Sequence, residues 1–566
     1  MSEPPAPYAN GDWSAMSADP ASHGSEATSS SLHSSLAPDI EFTRDRLRGL
    51  GTPPHNSMGA LSSLAEASAA VWHDGLEFDK TCNNFYLLED RAVLWVNAFE
   101  AELKRDRPFS VTPPPEVLGH LKESRPQQVQ DRAWLVMYYG ITLNLVSAAD
   151  PRDESTKAKL RHNLWLALND ARLLLEPTEL NIQALLLLAL DVEEFTSPSL
   201  CWMMVTNACR MLQALGVSDR RFDSQTRDRR VAMFWHLNLV DIGLALIFGR
   251  SPTFHRGMTR QIPMPTVKQL LPFQPHIGSP GALALFGVHY IHQMFILSRI
   301  MADIWYCLHE ELTPNDDSIE SISKDLESWY LQAQKILEAA ALAEKPFLNA
   351  HDAASFDQAL GSVNFQYEYL YILLARSSTR MRAQCTDSSK RMLQLLADMV
   401  SESEVPANGM VWHLLCAPFT PFLDLFGDLL SNDKGGSEEN KEVLAAMEQL
   451  PVFLEKMSSR NSLAAKLKSV AVVLVQHARS VVNHEEGRPP PNTEPGLTLA
   501  ETFPNHWPAT TNMLDWDSFF NHTVAAPIPD HPQAENHNTE PNDLTAWTND
   551  FFDNAFVDWV GWDAQV

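Results

Sequence analysis

The sequence predicts an all-α protein, built as an irregular multi-helix bundle between two disordered tails. Apolar residues recur at helical spacings of three and four through residues 61–486. Few stretches alternate apolar and polar residues for long enough to indicate a β-strand. The composition changes at both ends, because residues 1–60 are rich in Ser, Ala and Pro and residues 489–566 contain no Lys or Arg.

The charge balance excludes some classes of function. The chain of 566 residues has 43 basic and 71 acidic side chains, which gives a formal net charge of −28. A field of this sign repels the phosphate backbone of nucleic acids, and no separate basic module stands out. The longest apolar run, Ala184 to Leu190, is far shorter than the ~20 residues that cross a bilayer. We therefore expect neither direct DNA binding nor a membrane span.

The N-terminal part divides into a tail and the first helices. Residues 1–60 cannot bury enough apolar surface to offset chain entropy, so they are predicted to be disordered. Helical patterns begin at residue 61, and a Pro-rich connection is expected over residues 108–128. Further helices are predicted at Ala133–Ala148 and Leu160–Leu175.

The centre of the chain, residues 181–265, contains three helical patterns in succession. The first begins near Ile182 and is apolar nearly all round, which indicates a buried helix. The second ends at Gly216, which is well placed as a helix stop. The third carries Phe234 and Trp235 and ends before a Pro-punctuated loop.

After the centre, helical patterns continue without a fixed-period repeat, which favours an irregular bundle. They cover Leu283–His309, Ile319–Leu342, Phe356–Arg382, Lys390–Val400, Val411–Leu430, Lys441–Lys456 and Ser462–Val482.

Residues 487–566 form an acidic tail with two aromatic islands. Interleaved acids keep such aromatic residues solvated until a partner offers an apolar groove, which is typical of an activation segment. The alternative is a C-terminal helix that packs on the chain's own core. An activation segment that also packs on this core would be autoinhibited. The candidate residues of the activation segment are Trp516, Phe519, Phe520, Trp547, Phe551, Phe552, Phe556, Trp559 and Trp562.

The central pattern resembles the middle homology region of fungal zinc-cluster transcription factors. The order and spacing of a paired Arg, a Phe-Trp pair, an Asp and a Gly-Arg-x-Pro turn carry this resemblance. The motif residues are Arg229, Arg230, Phe234, Trp235, Asp241, Gly249, Arg250 and Pro252. The resemblance implies a helical regulatory domain, here residues 61–486, in a nuclear, pathway-specific transcriptional regulator.

The zinc cluster of that family is not evident in this sequence. The cluster needs six cysteines in tight CxxC pairs, because thiolates at short spacing are required for tetrahedral geometry. This chain has six cysteines, but none lie closer together than Cys201 and Cys209, within an apolar helical pattern. They are interpreted as buried reduced thiols, and no cofactor or metal is expected.

The charged motif residues permit two roles. Arg229 and Arg230 could bind an anionic effector or a partner's carboxylates, since guanidinium groups suit bidentate contact. Asp241 and Arg250 are interpreted as structural, joining a loop to a helix by charge-assisted bonds. Phe234 and Trp235 are expected in the core.

One pattern suggests an enzyme. Asp316, Asp317 and Glu320 match the DDxxE magnesium motif of all-α isoprenoid enzymes, but the second metal motif of that family is missing. A solvated helix start is the alternative interpretation. Neither GxSxG nor GxxxxGK[ST] occurs, so we expect no catalytic activity.

The leading hypothesis is a nuclear transcriptional activator whose tail contacts coactivators or the transcription machinery. It would reach DNA through a DNA-binding partner or through a zinc cluster that this sequence does not contain, and a homodimer is a further expectation. The alternative is a non-activating interaction scaffold or corepressor, and the remote alternative is the magnesium-dependent enzyme.

Overall fold

The computed structural model describes most of the chain between residues 37 and 485. The described residues are 37–49, 55–69, 82, 84–87, 91–105, 111–150, 152–192, 197–217, 221–273, 285–310, 315–348, 350–397, 399, 411–431, 438–458 and 461–485. Residues 1–36 and the whole predicted activation segment lie outside them.

Every regular element in the described residues is an α-helix or a short 3-10 turn, so the predicted all-α class is confirmed. In chain order the helices are α1 Ala37–Gly49, α2 His55–Ala69, α3 Ala92–Arg105, α4 Pro115–Lys122, α5 Arg132–Ala149, α6 Glu154–Leu168, α7 Ala171–Leu175, α8 Glu179–Asp191, α9 Pro198–Leu215, α10 Ser224–Phe248, α11 Arg256–Gln261, α12 Val267–Leu270, α13 Leu285–His309, α14 Asp316–Glu344, α15 Ala350–Ser377, α16 Arg382–Leu395, α17 Val411–Cys416, α18 Phe419–Ser431, α19 Glu438–Met447, α20 Gln449–Ser458 and α21 Ser462–Glu485.

Short polar residues and glycines set the ends of the three central helices. Thr178, Ser197 and Asp223 precede α8, α9 and α10, and each side chain accepts a hydrogen bond from the backbone amide three residues later. Such caps satisfy amides that have no partner inside the helix. Gly216 and Gly249 end α9 and α10 with φ of 77° and 64°, a region that favours glycine.

The core is continuous through the central helices. Helix α8 packs on α5 and α9, α9 packs on α10, and α10 packs on α13. At Gly140 of α5 an added Cβ would lie 2.9 Å from the Leu187 side chain, so the absence of a side chain permits the close approach of α5 and α8. Trp412 of α17 is 1% exposed and donates its indole N–H to the carbonyl of Ala189 at 2.9 Å.

Helix α10 is long and apolar enough to cross a membrane by length and composition alone. However, 83% of its most apolar window is buried by the surrounding helices. Its hydrophobicity therefore matches its place in the core of the bundle.

The predicted disorder of residues 1–60 is wrong for its last part, where α1 and the start of α2 lie. Helix α1 packs on α18, and its side chains Ile40 and Leu47 are buried. Asp39 forms an ion pair with Arg376 of α15, so a contact over more than three hundred residues holds the helix. Composition alone did not reveal this helix, because its apolar residues are few and their partners are remote in sequence.

Other predicted elements differ at their boundaries. The Pro-rich connection contains α4, because Pro115 occupies the first turn, where its missing N–H costs nothing. The predicted helix Leu160–Leu175 is two helices, since Asp170 caps α7. The patterns at 411–430 and 441–456 are likewise divided into α17 and α18 and into α19 and α20.

Candidate functional site

The paired arginines of the motif share one carboxylate. Arg229 and Arg230 lie in the second turn of α10, and Glu179 lies in the first turn of α8. The Nε atom of Arg229 is 2.8 Å from Oε2 of Glu179, and the Nε atom of Arg230 is 3.3 Å from Oε1. Because all three side chains are half-buried, water screens these contacts less than at an open surface.

Arg230 also closes the end of α9. Its Nη1 donates to the carbonyl oxygens of Leu215 at 2.6 Å and Gly216 at 3.2 Å. Its guanidinium carbon lies 4.1 Å from the centre of the Phe222 ring, within the range of a cation–π contact. A cation at this point compensates the carbonyls that α9 leaves unpaired, so one side chain joins α8, α9 and α10.

Asp241 holds the loop that follows α10. Its carboxylate accepts the backbone amide of Thr253 at 2.7 Å, the Thr253 hydroxyl at 2.9 Å and the backbone amide of Phe254 at 3.0 Å. The residue is 1% exposed. Burial raises the pKa of Asp241 to about 6, and the three donors oppose that rise.

Arg250 fixes the same loop to α9. Its guanidinium carbon lies 4.6 Å from the centre of the Trp202 ring, and Nη2 donates to the Ser199 hydroxyl at 2.9 Å. Burial lowers the pKa of Arg250 from its usual value. Gly249 supplies the left-handed turn before it, and Pro252 follows.

Phe234 and Trp235 lie in the core beneath this loop. The Phe234 ring lies 4.7 Å from that of Phe254, measured between centroids. The indole N–H of Trp235 donates to the carbonyl of Pro263 at 2.9 Å. The structure thus brings the eight motif residues together around α10 and the loop behind it.

This arrangement holds the central helices together, and its charged groups bind other parts of the chain. The guanidiniums of Arg229 and Arg230 contact Glu179, so an anionic effector at this point would have to displace a carboxylate of the protein itself. The role of Glu179 could not be recognised from the sequence. The sequence shows only an acidic residue in the first turn of a helix, and no spacing connects that residue to arginines fifty residues later.

The DDxxE carboxylates contact protein groups. Asp316 accepts the hydroxyls of Ser378 at 2.7 Å and Thr379 at 2.8 Å. Asp317 and Glu320 both pair with Nη1 of Arg380, at 2.8 Å and 3.0 Å. The pattern therefore joins the start of α14 to the turn after α15, and Arg380 lies where a magnesium-binding site would need a metal.

The cysteines are dispersed along the chain, and the expectation that all six are buried holds for four of them, because Cys82, which lies outside the helices, and Cys416 are only partly buried. Cys201 and Cys209 are fully buried on α9, and burial raises the pKa of both thiols well above the usual value. Among the described residues, no group of three His, Cys, Asp or Glu side chains is arranged to hold a metal ion.

Comparisons with known proteins agree on one family. The fungal specific transcription factor domain family matches residues 124–339. A transcriptional regulator of Claviceps purpurea (strain 20.1) is 39% identical over 461 residues, which cover 80% of this chain and 74% of that relative.

Two proteins of Schizosaccharomyces pombe (strain 972), each named an uncharacterized transcriptional regulatory protein, are 24% and 21% identical. The alignments cover 62% of this chain and 57% and 60% of the relatives, so the chain spans less than two thirds of their length. No solved structure matches this chain.

Proposed function

The chain belongs to the family of fungal transcriptional regulators with the fungal specific transcription factor domain, and from this premise we propose that it is an activator with a helical regulatory domain. In this proposal the acidic tail, residues 487–566, activates transcription, and the helical domain, which the sequence puts at residues 61–486, restrains or licenses it. The observation that carries the proposal is the acidic and aromatic composition of the tail. The charged motif residues of the helical domain, in contrast, bind other groups of that domain.

The tail has the chemistry that coactivator binding requires. Residues 489–566 contain twelve acidic residues and no Lys or Arg, and their aromatic residues cluster in two islands. In the second island Trp547, Phe551 and Trp559 are spaced so that they would share one face of a helix. A segment of this kind is marginally helical alone and folds when a groove buries its aromatic face.

The helical domain suits a regulatory role. Glu179, Arg230 and Asp241 lock three central helices and a loop into one arrangement. Helices that are bonded to one another in this way move as one unit. A partner or ligand that shifts one end of α8 or α10 therefore also shifts the other central helices. We assign the eight motif residues this coupling role.

We assign DNA binding to a partner protein or to a zinc cluster that this sequence does not contain. The net charge of −28 opposes contact with phosphates, and the six cysteines lack the spacing of a binuclear zinc cluster. The proposal therefore includes a DNA-binding partner, or a zinc cluster outside this sequence, together with nuclear localisation and a homodimer as the assembled form.

A reporter assay with residues 489–566 fused to an unrelated DNA-binding domain tests the proposal. Replacing Trp547, Phe551 and Trp559 by Ala removes the apolar face and keeps every acidic residue. We expect reporter output to fall by about tenfold or more, since a buried aromatic anchor contributes about 2 kcal/mol at an interface. A matched control replaces Thr545, Thr548 and Asn554 by Ala. Unchanged output in the aromatic variant would contradict the activator proposal and favour a scaffold or corepressor.

A further inference from the structure

The outer face of α14 carries exposed apolar side chains. The helix has 29 residues, and its inner face packs on α13 and α15. On the opposite face Leu331 is 60% exposed and Leu342 is 80% exposed. Phe347, in the 3-10 turn that follows, is 87% exposed, and the fractions of Leu342 and Phe347 are the highest of any large hydrophobic side chain in the described residues. Such clustered exposure indicates an interaction surface.

The exposed face has the spacing of a coiled-coil seam. Four exposed residues follow one another at intervals of four, three and four, and they are Leu331, Lys335, Glu338 and Leu342. Residues that alternate in this way lie along one side of a helix and can contact a second helix over their whole length. We call these four residues the α14 seam. Its exposure shows that no helix in the described part of the chain covers it.

The seam is complementary to itself. Lys335 and Glu338 lie on either side of its midpoint, and the two leucines lie at equal distances beyond them. In two antiparallel copies related by a two-fold axis through this midpoint, Lys335 faces Glu338 of the partner subunit. In the same arrangement Leu331 faces Leu342 of the partner subunit. Each contact occurs twice, so opposite charges meet and apolar side chains meet.

Both charges of the seam are free to make this contact. Neither Lys335 nor Glu338 forms an ion pair within the part of the chain that the structure describes. The next basic residue of the segment, Lys345, is instead paired with Asp357. The seam therefore presents one basic and one acidic side chain that a second copy would pair.

A second copy fits the seam better than the acidic tail does. Residues 489–566 contain no Lys or Arg, so the tail would bring further acidic groups to Glu338. A partner with charges of one sign has the same conflict at one of the two positions. A second α14 satisfies both.

We propose that the α14 seam is the surface through which two copies of this chain form a homodimer, with the two helices antiparallel. A single pair of helices is smaller than the ~1,600 Å² of a standard interface, so a reversible dimer with a micromolar dissociation constant is expected. The homodimer belongs to the proposed function, on which this proposal therefore rests, and α14 supplies its surface.

Sedimentation velocity of the purified full chain, from about 1 μM to about 100 μM, tests the contact. We expect the average mass to rise with concentration from that of one chain to that of two. Leu342→Ser removes an apolar contact at both ends of the seam and should raise the dissociation constant at least about tenfold. Leu175→Ser is the matched control, because Leu175 is 65% exposed on α7, outside the seam. It should dimerise like the wild type.

Charge reversal tests the antiparallel register. Lys335→Glu alone and Glu338→Lys alone each place like charges opposite one another twice, so each should weaken the homodimer at least about tenfold. Both substitutions in one chain restore opposite charges and should restore dimerisation. A mixture of the two single variants should form a heterodimer, since every facing pair is then opposite in charge. Residues that only stabilise the fold would not give this rescue.

The α14 contact is overturned if the full chain stays monomeric up to about 100 μM, if the seam variants dimerise like the wild type, or if the double reversal gives no rescue. A monomer in which Leu342→Ser raises the reporter output of the full chain would show that the seam binds the tail instead. A dimer that the variants leave unchanged keeps the homodimer and removes only this surface. Masses are measured without transcription, so none of these results decides whether the tail activates, and a failed reporter assay leaves the dimer intact.

Discussion

Asp241 accepts the backbone amide of Thr253 at 2.7 Å, and this bond joins the middle of α10 to the loop that follows the helix. The same carboxylate takes two further donors, so the loop is held by a buried group that lies twelve residues before it. The central motif is thus a set of contacts between helices and loops. Removing any one of these contacts should lower the free energy of unfolding by a measurable amount.

Removing the Asp241 carboxylate should destabilise the domain strongly. Asp241→Ala leaves the amides of Thr253 and Phe254 buried without an acceptor, which costs about 3 kcal/mol of unfolding free energy. Asp241→Asn should lose less, because one oxygen remains. Urea denaturation measures both. The control is Asp303→Ala, which breaks an exposed pair with Arg256 and should cost less than about 1 kcal/mol. Equal losses at the two positions would contradict this role.

Arg230 should matter more than Arg229 for stability. Arg230→Ala removes the contact with Glu179 and both bonds to the end of α9, for about 2 kcal/mol in total. Arg229→Ala removes its contact with Glu179, for about 1 kcal/mol. A double-mutant cycle with Glu179→Gln should give a coupling energy for each arginine. Zero coupling to Glu179 would show that the observed ion pairs contribute nothing.

Acid should weaken the domain through His413. The residue is partly buried, burial lowers its pKa to about 4, and its Nδ1 is buried with no hydrogen-bond partner among the described residues. A histidine whose folded pKa lies below its unfolded value of about 6.5 contributes stability that is present above pH 6.5 and is lost as the pH falls towards 4.

The wild type should therefore lose about 2 kcal/mol relative to His413→Gln between pH 7 and pH 5. Chemical denaturation at both pH values measures the difference, and the comparison cancels groups common to both proteins. Parallel pH profiles for the two proteins would refute the assignment to His413.

Magnesium should have no effect through the DDxxE pattern. Arg380 pairs with Asp317 and Glu320, so a cation already occupies the space between these carboxylates. We expect millimolar magnesium chloride to leave the melting temperature unchanged in the wild type and in Asp317→Ala. A rise in the wild type that disappears in Asp317→Ala would revive the metal-dependent alternative.

Residues whose signal is local were predictable from the sequence. The helical period around Phe234 and Trp235 indicated core positions, and both side chains are at most 1% exposed. Gly216 and Gly249 were readable as helix ends, because a positive φ at such a position favours glycine. The all-α class followed from the same periodicity.

Contacts between distant residues could not be derived. Nothing in the sequence connects Glu179 with Arg230, or Asp39 with Arg376, because a pairing over this separation depends on how the helices pack. Helical spacings of three and four residues therefore predict the secondary structure elements. They do not predict which distant residues contact one another in the folded chain.

The most direct test of restrained activation compares two fusions to an unrelated DNA-binding domain in a reporter assay. One carries residues 489–566, and the other carries the full chain. We expect strong activation by the tail and weak activation by the full chain, because the helical domain restrains the tail. If neither fusion activates, the protein is not an activator of this kind. If the full chain activates as strongly as the tail, restraint by the helical domain is contradicted.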